Sequence, residues 1–321
     1  MHFYFLLSPY GGPEKANYQH ACVVLAEGLK SLQILFNSNI NYYPDPSGTY
    51  LFEMGTSTPH SYIVTSAPEE FAHVLKTNKN KLIILDTKDE WIRPKSTAFI
   101  PQVHRYFMSS CCQETQVVKP WCFAASNRML NITEHNNQHQ TEWQERSDRI
   151  VWAHRVTNHA LRNHALNFYK RTYTPLDTYL DNFKQPQESA AHHEWQHTGR
   201  RHSPDYFNYL SQHKYLDAHG GYPTSSHQRI VQWDSWKLWE GFLSGNLVIT
   251  ADLDYYNILL PFKLIPFKHY IPIRYHEMDK SYEKFFSLPD TEKEAIAREG
   301  AKFVREHFNP TSMAQYMLSM L

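Results

Sequence analysis

Neither sign of charge is in excess in this sequence: Lys plus Arg and Asp plus Glu each number 32, for a formal net charge of +0. The global field that steers a protein toward nucleic acid or an anionic membrane is therefore missing, and any bound anion has to be captured by local groups. Cysteine is sparse as well. Cys22, Cys111, Cys112 and Cys122 are four in 321 residues, without paired metal spacing. That usage argues against a disulfide framework and matches reduced thiols in a cytoplasmic protein; the vicinal Cys111 and Cys112 carry no redox motif. No apolar run approaches the roughly 20 residues that span a bilayer. The longest candidate, 258–273, is broken by Pro261, Lys263, Pro266, Lys268 and Pro272. The opening MHFYFLLSPYGG has a short apolar core without a basic flank, so it reads as a first strand and not as a signal peptide. Without a secretory signal, Asn131-Ile-Thr133 is a chance match to a glycosylation sequon. Internal repeats are lacking, and low complexity is confined to His- and Gln-containing loops.

What is present is alternation. The length suits two domains, and in the first half short apolar runs alternate with helical patterns, the mark of repeated βα units on a mostly parallel sheet. Strands are expected at 3–7, 40–43, 61–65 and 82–85, and helices at 18–32 and 68–75. A polar interval, 134–148, interrupts the pattern, and the domain boundary is expected there. The alternation restarts with a strand at 150–153 and a helix at 158–169. A polar loop at 184–197, a helix at 204–215, a strand at 216–219, a helix at 236–244 and a strand at 247–250 follow. Thr291 and Glu294 form a capping-box pattern, and Pro310-Thr311-Ser312 starts a last helix. The fold class is thus α/β, with two Rossmann-like domains facing across a cleft and helices at the C-terminus: 1–149, 150–300, and a helical 301–321.

The segment richest in chemistry is WDSWKLWEGFLSGNLVITADLDYY. Ser235, Lys237 and Glu240 open a helix that ends at Gly245 and feeds an apolar strand. A helix N-terminus offers free N–H groups and partial positive charge to a phosphate, and Lys237 adds a full charge. Glu240, one turn on, can accept from two ribose hydroxyls. An ordinary amphipathic helix with a Gly cap fits the same spacing. In its Asp234, Ser235, Lys237, Glu240 and Gly245 the segment resembles the donor-binding element of GT-B glycosyltransferases, the exostosin-type and related families in particular. The usual Cys-Ile-Pro-Val run is replaced by Asn246-Leu-Val-Ile249. The resemblance implies transfer of a monosaccharide from a nucleoside-diphosphate sugar to a hydroxyl acceptor such as a glycan. It gives Lys237 the diphosphate and Glu240 the ribose, makes 1–149 the acceptor domain and 150–300 the donor domain, and implies that the helix from Pro310 to Leu321 crosses back onto the first domain. No cofactor or metal is expected beyond the sugar nucleotide itself.

Further candidates surround this one. Arg200 and Arg201, with Gly199, precede a helix start at Ser203-Pro204 and form either a phosphate grip or a solvated loop. Arg155, just past the strand at 150–153, resembles the basic residue GT-B enzymes carry there; His154, His159 and Arg162 are neighbouring options. Gly11 and Gly12 follow the first strand, where backbone can approach a ligand closely, and the resemblance implies a loop facing donor phosphates and acceptor. Glu14 and His20 lie within its reach. Asp86 and Asp89 follow the strand at 82–85, where a base for the acceptor hydroxyl is expected, although a turn or cap role is the commoner use of an Asp at such a place.

Two rival classes remain. His193-Glu194-Trp195-Gln196-His197 has the H-E-x-x-H form of zinc peptidases, yet Thr198-Gly199 and Ser203-Pro204 break the continuous helix that such ligands need. A non-catalytic sugar- or nucleotide-binding module is the other, since fold does not fix function. Trp233, Trp236, Trp239, Tyr255 and Tyr256 suit stacking on a sugar or base, with ordinary core packing the default for such residues.

Overall fold

The computed structural model describes residues 1–7, 19–39, 61–76, 80–87, 103–109, 111–137, 141–154, 160–179, 204–220, 222–223, 230–231 and 233–321. Its strands are β1 (His2–Leu6), β2 (Phe36–Ser38), β3 (Ser61–Thr65), β4 (Lys81–Asp86), β5 (Val103–Met108), β6 (Val118–Pro120), β7 (Ser147–Trp152), β8 (Leu176–Thr178), β9 (His213–Asp217), β10 (Tyr222–Pro223), β11 (Ile230–Val231), β12 (Leu247–Ala251) and β13 (Ile271–Ile273). Its helices are α1 (His20–Ser31), α2 (Ala72–Leu75), α3 (Asn127–Asn137), α4 (Ala160–Arg171), α5 (Pro204–Ser211), α6 (Trp236–Leu243), α7 (Met278–Ser287), α8 (Asp290–His307) and α9 (Pro310–Ser319). The described residues form two compact units, 1–126 with 309–321, and 127–179 with 204–308.

The first unit is built on the sheet β2-β1-β3-β4-β5-β6, parallel throughout. Its central strands are apolar on both faces, as a parallel sheet covered on each side requires: Leu82, Ile83, Ile84 and Leu85 of β4 are all buried. On one face Leu6, Ile63, Leu75, Leu82, Ile84 and Tyr106 make a single cluster. Helix α1 buries Ala21, Cys22, Val23, Val24, Leu25, Ala26 and Leu29, and α9 packs against it. The contact is close because Gly28 has no side chain. A Cβ there would lie 2.0 Å from the Pro310 carbonyl oxygen and 2.7 Å from Ala314 Cβ. Asn309 starts α9 as an N-cap, its Oδ1 accepting from the Ser312 N–H at 3.0 Å, with Pro310 in the first helical position.

The second unit carries the sheet β13-β12-β9-β7-β8, again parallel. Numbered along the chain within each sheet, both sheets start in the order second, first, third, fourth, fifth. In this doubly wound order the chain reverses direction between the first and third strands, opening a crevice at their carboxyl ends. Those switch points are β1/β3 in one unit and β7/β9 in the other.

Several elements differ from the sequence reading. The first unit ends at Ser126, ahead of the polar interval 134–148, because α3 packs on α5 and α6 of the second unit. Three of the strands that escaped, β6, β8 and β13, have only three residues each and little period to detect. The expected strand at 40–43 lies outside the described residues, and β2 precedes it. Thr291 is not a cap: α8 starts at Asp290 after Pro289, and Glu294 accepts from Arg298 one turn on and from Gln144.

Candidate functional site

At the β7/β9 switch point a buried polar cluster is built around one carboxylate. Asp217 ends β9 and is 0% exposed. Its Oδ2 accepts from the Tyr169 hydroxyl of α4 at 2.6 Å and from the Tyr282 hydroxyl of α7 at 3.1 Å. Its Oδ1 accepts from the His219 backbone N–H at 3.2 Å and lies 3.0 Å from Nε2 of His154, two residues past β7. His219 Nε2 sits 2.6 Å from the Tyr282 oxygen. Burial alone would raise the Asp217 carboxyl. Interaction with His219 and the bonds from His154 and Tyr169 outweigh burial and hold it well below the usual carboxylate range. An ionised carboxylate only accepts, so His154 must present an Nε2 proton.

The imidazoles are driven the other way. Burial pushes His154 down to about 3, opposed by Asp217 and reinforced by the charges of Lys237 and Arg162. Burial also lowers His219, with Arg162 adding to it. The cluster is therefore an anion with neutral histidines, and two cations lie near enough for their fields to act on it.

Lys237 arrives from α6. Ser235 sits at the N-cap with extended backbone, but its side chain makes no capping bond, and its buried Oγ meets no hydrogen-bond partner among the described residues. The chain ahead of the helix is fixed instead by Asp234, whose Oδ1 accepts from the Trp239 indole at 2.7 Å. Leu238, Trp239, Phe242 and Leu243 supply the buried face. The other end closes at Gly245, whose φ of 73° lets the Asn246 N–H reach the Gly241 carbonyl and the Gly245 N–H reach that of Phe242, each at 3.0 Å. The Asn246 side chain then donates to Leu210 and His213 carbonyls at 2.8 and 2.7 Å, seating the helix beside the start of β9.

Of the expected site residues, Ser235, Lys237 and Glu240 all lie on or at the head of α6, with Lys237 in its first turn. Glu240 is buried, 1% exposed. Asp86 ends β4 half-buried and accepts from the Tyr106 hydroxyl of β5; burial and this carboxylate raise that tyrosine. His20 is the first residue of α1 and is buried, edge-on to Phe123 at 6.4 Å, so it sits in the core and not in an open loop. Gly11, Gly12, Asp89, Arg155, Arg200 and Arg201 lie outside the described residues, as do Glu14, His159 and His193–His197. Trp233, Trp239 and Tyr256 are core residues, whereas Tyr255 is 44% exposed. The sequence reading missed Asp217, Tyr169 and Tyr282. A carboxylate at the end of an apolar strand, the logic that singled out Asp86, would have found Asp217; the tyrosines leave no signal, since aromatic residues inside helices read as core. Among the described residues no group of three His, Cys, Asp or Glu side chains is arranged to hold a metal ion.

The comparisons with known proteins bear on this geometry. Residues 112–321 match the family described as Glycosyl transferase family 90. No curated protein sequence matches the chain. Among solved structures, HepE of Anabaena in complex with UDP and glucose superposes with a TM-score of 0.54 at 10% identity, covering 100% of each chain. HepE with UDP alone gives 0.52 at 9% over the same coverage. An α1,3-fucosyltransferase gives 0.53 at 10% identity, covering 99% of this chain and 90% of its own. Two parallel-sheet α/β units with C-terminal helices are the fold these structures share with the chain, the GT-B fold of glycosyltransferases.

Proposed function

The chain belongs to glycosyl transferase family 90 and is a glycosyltransferase; from that premise we propose that its second unit binds a nucleoside-diphosphate sugar whose monosaccharide is passed to a hydroxyl acceptor. One observation carries the reading. The head of α6, which carries no side-chain cap, and the Lys237 charge act at the carboxyl edge of the second sheet, beside its switch point. A diphosphate gains there from backbone N–H groups, from the helix dipole and from an ammonium. HepE, a structure of the same fold, was solved with UDP, which supports a uridine diphosphate donor.

Within this reading Lys237, with Arg155, Arg200 and Arg201, neutralises the leaving diphosphate, so no metal is required. Ser235 hydrogen-bonds a phosphate oxygen, and Glu240 takes the ribose hydroxyls. The first unit holds the acceptor near Gly11 and Gly12, and its base is drawn from Asp86, Asp89 and His20, of which Asp86 is the described carboxylate at a strand's carboxyl end. The segment His193–His197 falls inside the stretch matched to the transferase family, which leaves the peptidase without support. No helix among the described residues is long and apolar enough to cross a membrane, in keeping with a cytoplasmic enzyme.

Calorimetric titration with a panel of nucleoside diphosphates, with and without EDTA, tests the assignment. One diphosphate should bind in the micromolar range regardless of chelator, and Lys237→Ala should weaken it about 10- to 100-fold by removing a charge-assisted hydrogen bond. Wild-type affinity in that variant would move the diphosphate away from α6.

A further inference from the structure

The Asp217 cluster contains more order than a fold needs. Both Asp217 oxygens are occupied by donors, so the His154 ring has its Nε2 proton committed to Asp217 at 3.0 Å. A neutral imidazole with Nε2 protonated presents a bare lone pair at Nδ1, which accepts and cannot donate. That Nδ1 is buried and has no hydrogen-bond partner among the described residues. The ring is also held in place: Trp152 meets it edge-on at 4.5 Å. An acceptor left open in a buried site is costly unless something else fills it.

Its surroundings say what kind of group fills it. Lys237 and Arg162 place positive charge around His154, which suits an anion nearby. A phosphate oxygen, however, is itself an acceptor and gains nothing from a second lone pair. The group that completes Nδ1 must bring a proton. Hydroxyls are the donors that a nucleoside-diphosphate sugar carries next to its phosphates, on the ribose and on the transferred sugar.

We propose that His154 accepts a hydrogen bond from a donor-substrate hydroxyl through Nδ1, and that Asp217 is the positioning residue that fixes His154 in the accepting tautomer. The inference rests on the donor-site reading above and adds to it a residue that reads hydroxyls where Lys237 reads charge. Asp217 does not touch the ligand. Neutrality is required of His154, and burial secures it, since the ring takes up a proton only near pH 3.

The decisive variant is His154→Gln, whose terminal amide reaches Asp217 as Nε2 does and which has no acceptor at the Nδ1 position. Wild type and variant are titrated with UDP, with UDP-glucose and with 2′,3′-dideoxyuridine diphosphate. If the sugar hydroxyl is the partner, the variant loses roughly tenfold in affinity for UDP-glucose and keeps that for UDP. If the ribose is the partner, it loses that factor for UDP and UDP-glucose and keeps the weaker affinity for the dideoxy compound. Equal affinities of the two proteins for all three ligands would overturn the proposal and leave Nδ1 to a buried water. Nitrogen-15 NMR of the histidine rings gives a second reading: His154 should show protonated Nε2 and bare Nδ1 at neutral pH, a state disturbed in Asp217→Asn. A protonated Nδ1 in the wild type would refute the inference even with binding intact. A wild type that binds no nucleotide at all would instead remove the donor-site premise.

Discussion

The two sheets of this protein share one strand order and place different chemistry on their carboxyl edges. In the first unit the described edge offers Asp86, half-buried, with the Tyr106 hydroxyl as its partner. In the second, Asp217 is wholly buried and draws donors from a loop histidine, two helices and a backbone N–H, with Lys237 and Arg162 acting nearby. Equal topology with unequal edges shows that the order of strands provides a crevice, while the residues at the strand ends decide what it holds.

The sharpest test of that difference removes each carboxylate in turn. Asp217→Ala strands several buried donors at about 1–3 kcal/mol each, for a total of about 3–5 kcal/mol in denaturant unfolding. A loss below about 1 kcal/mol would mean that the cluster is solvated and unlike its description. The first unit depends more on packing than on its edge. Gly28→Ala should cost about 1–3 kcal/mol through overpacking of α1 against α9, read as a lowered Tm; an unchanged Tm would show that α9 is not seated on Gly28 in solution.

Acid tests the second edge next. His154 titrates near 3 in the fold against about 6.5 unfolded, so between those values the unfolded chain binds the extra proton and stability falls as pH falls. The slope is about 1.4 kcal/mol per pH unit at most. Asp217, held below its unfolded value of about 3.9, contributes stability above that value and loses it only at lower pH. The second unit should therefore weaken as pH drops from about 6.5, with the lowered His219 and His269 adding to His154, and His154→Gln should flatten part of that limb of the stability profile. A profile identical in wild type and variant would contradict the buried neutral ring. The smallest effect belongs to Asp86→Ala, about 1 kcal/mol for a half-buried carboxylate that takes the Tyr106 hydroxyl. A loss approaching that of Asp217→Ala would erase the contrast between the edges.

Much of the framework was readable in one dimension. Strands β1, β3, β4 and β12 stand out as apolar runs because a parallel sheet covered on both faces demands them. Helix α6 was legible from its serine, its periodic apolar face and Gly245, and α9 from Pro310. Helix α3 was hidden, since its second half is polar and its contacts lie with α5 and α6, distant in sequence.

By itself, then, the sequence determined the α/β class, the helix-to-strand element from Asp234 to Thr250, and the resemblance that pointed to sugar transfer. Each rests on local periodicity, capping or spacing. Only the tertiary structure decided the strand order, the switch points, the burial of His20 and Glu240, and the gathering of His154, Tyr169, Asp217, His219 and Tyr282 around one carboxylate. Those residues come from β7, α4, β9 and α7 or the loops that follow them, and no pattern along the chain encodes their meeting. It follows from parallel strands ending side by side, which brings together residues as far apart as 154 and 282.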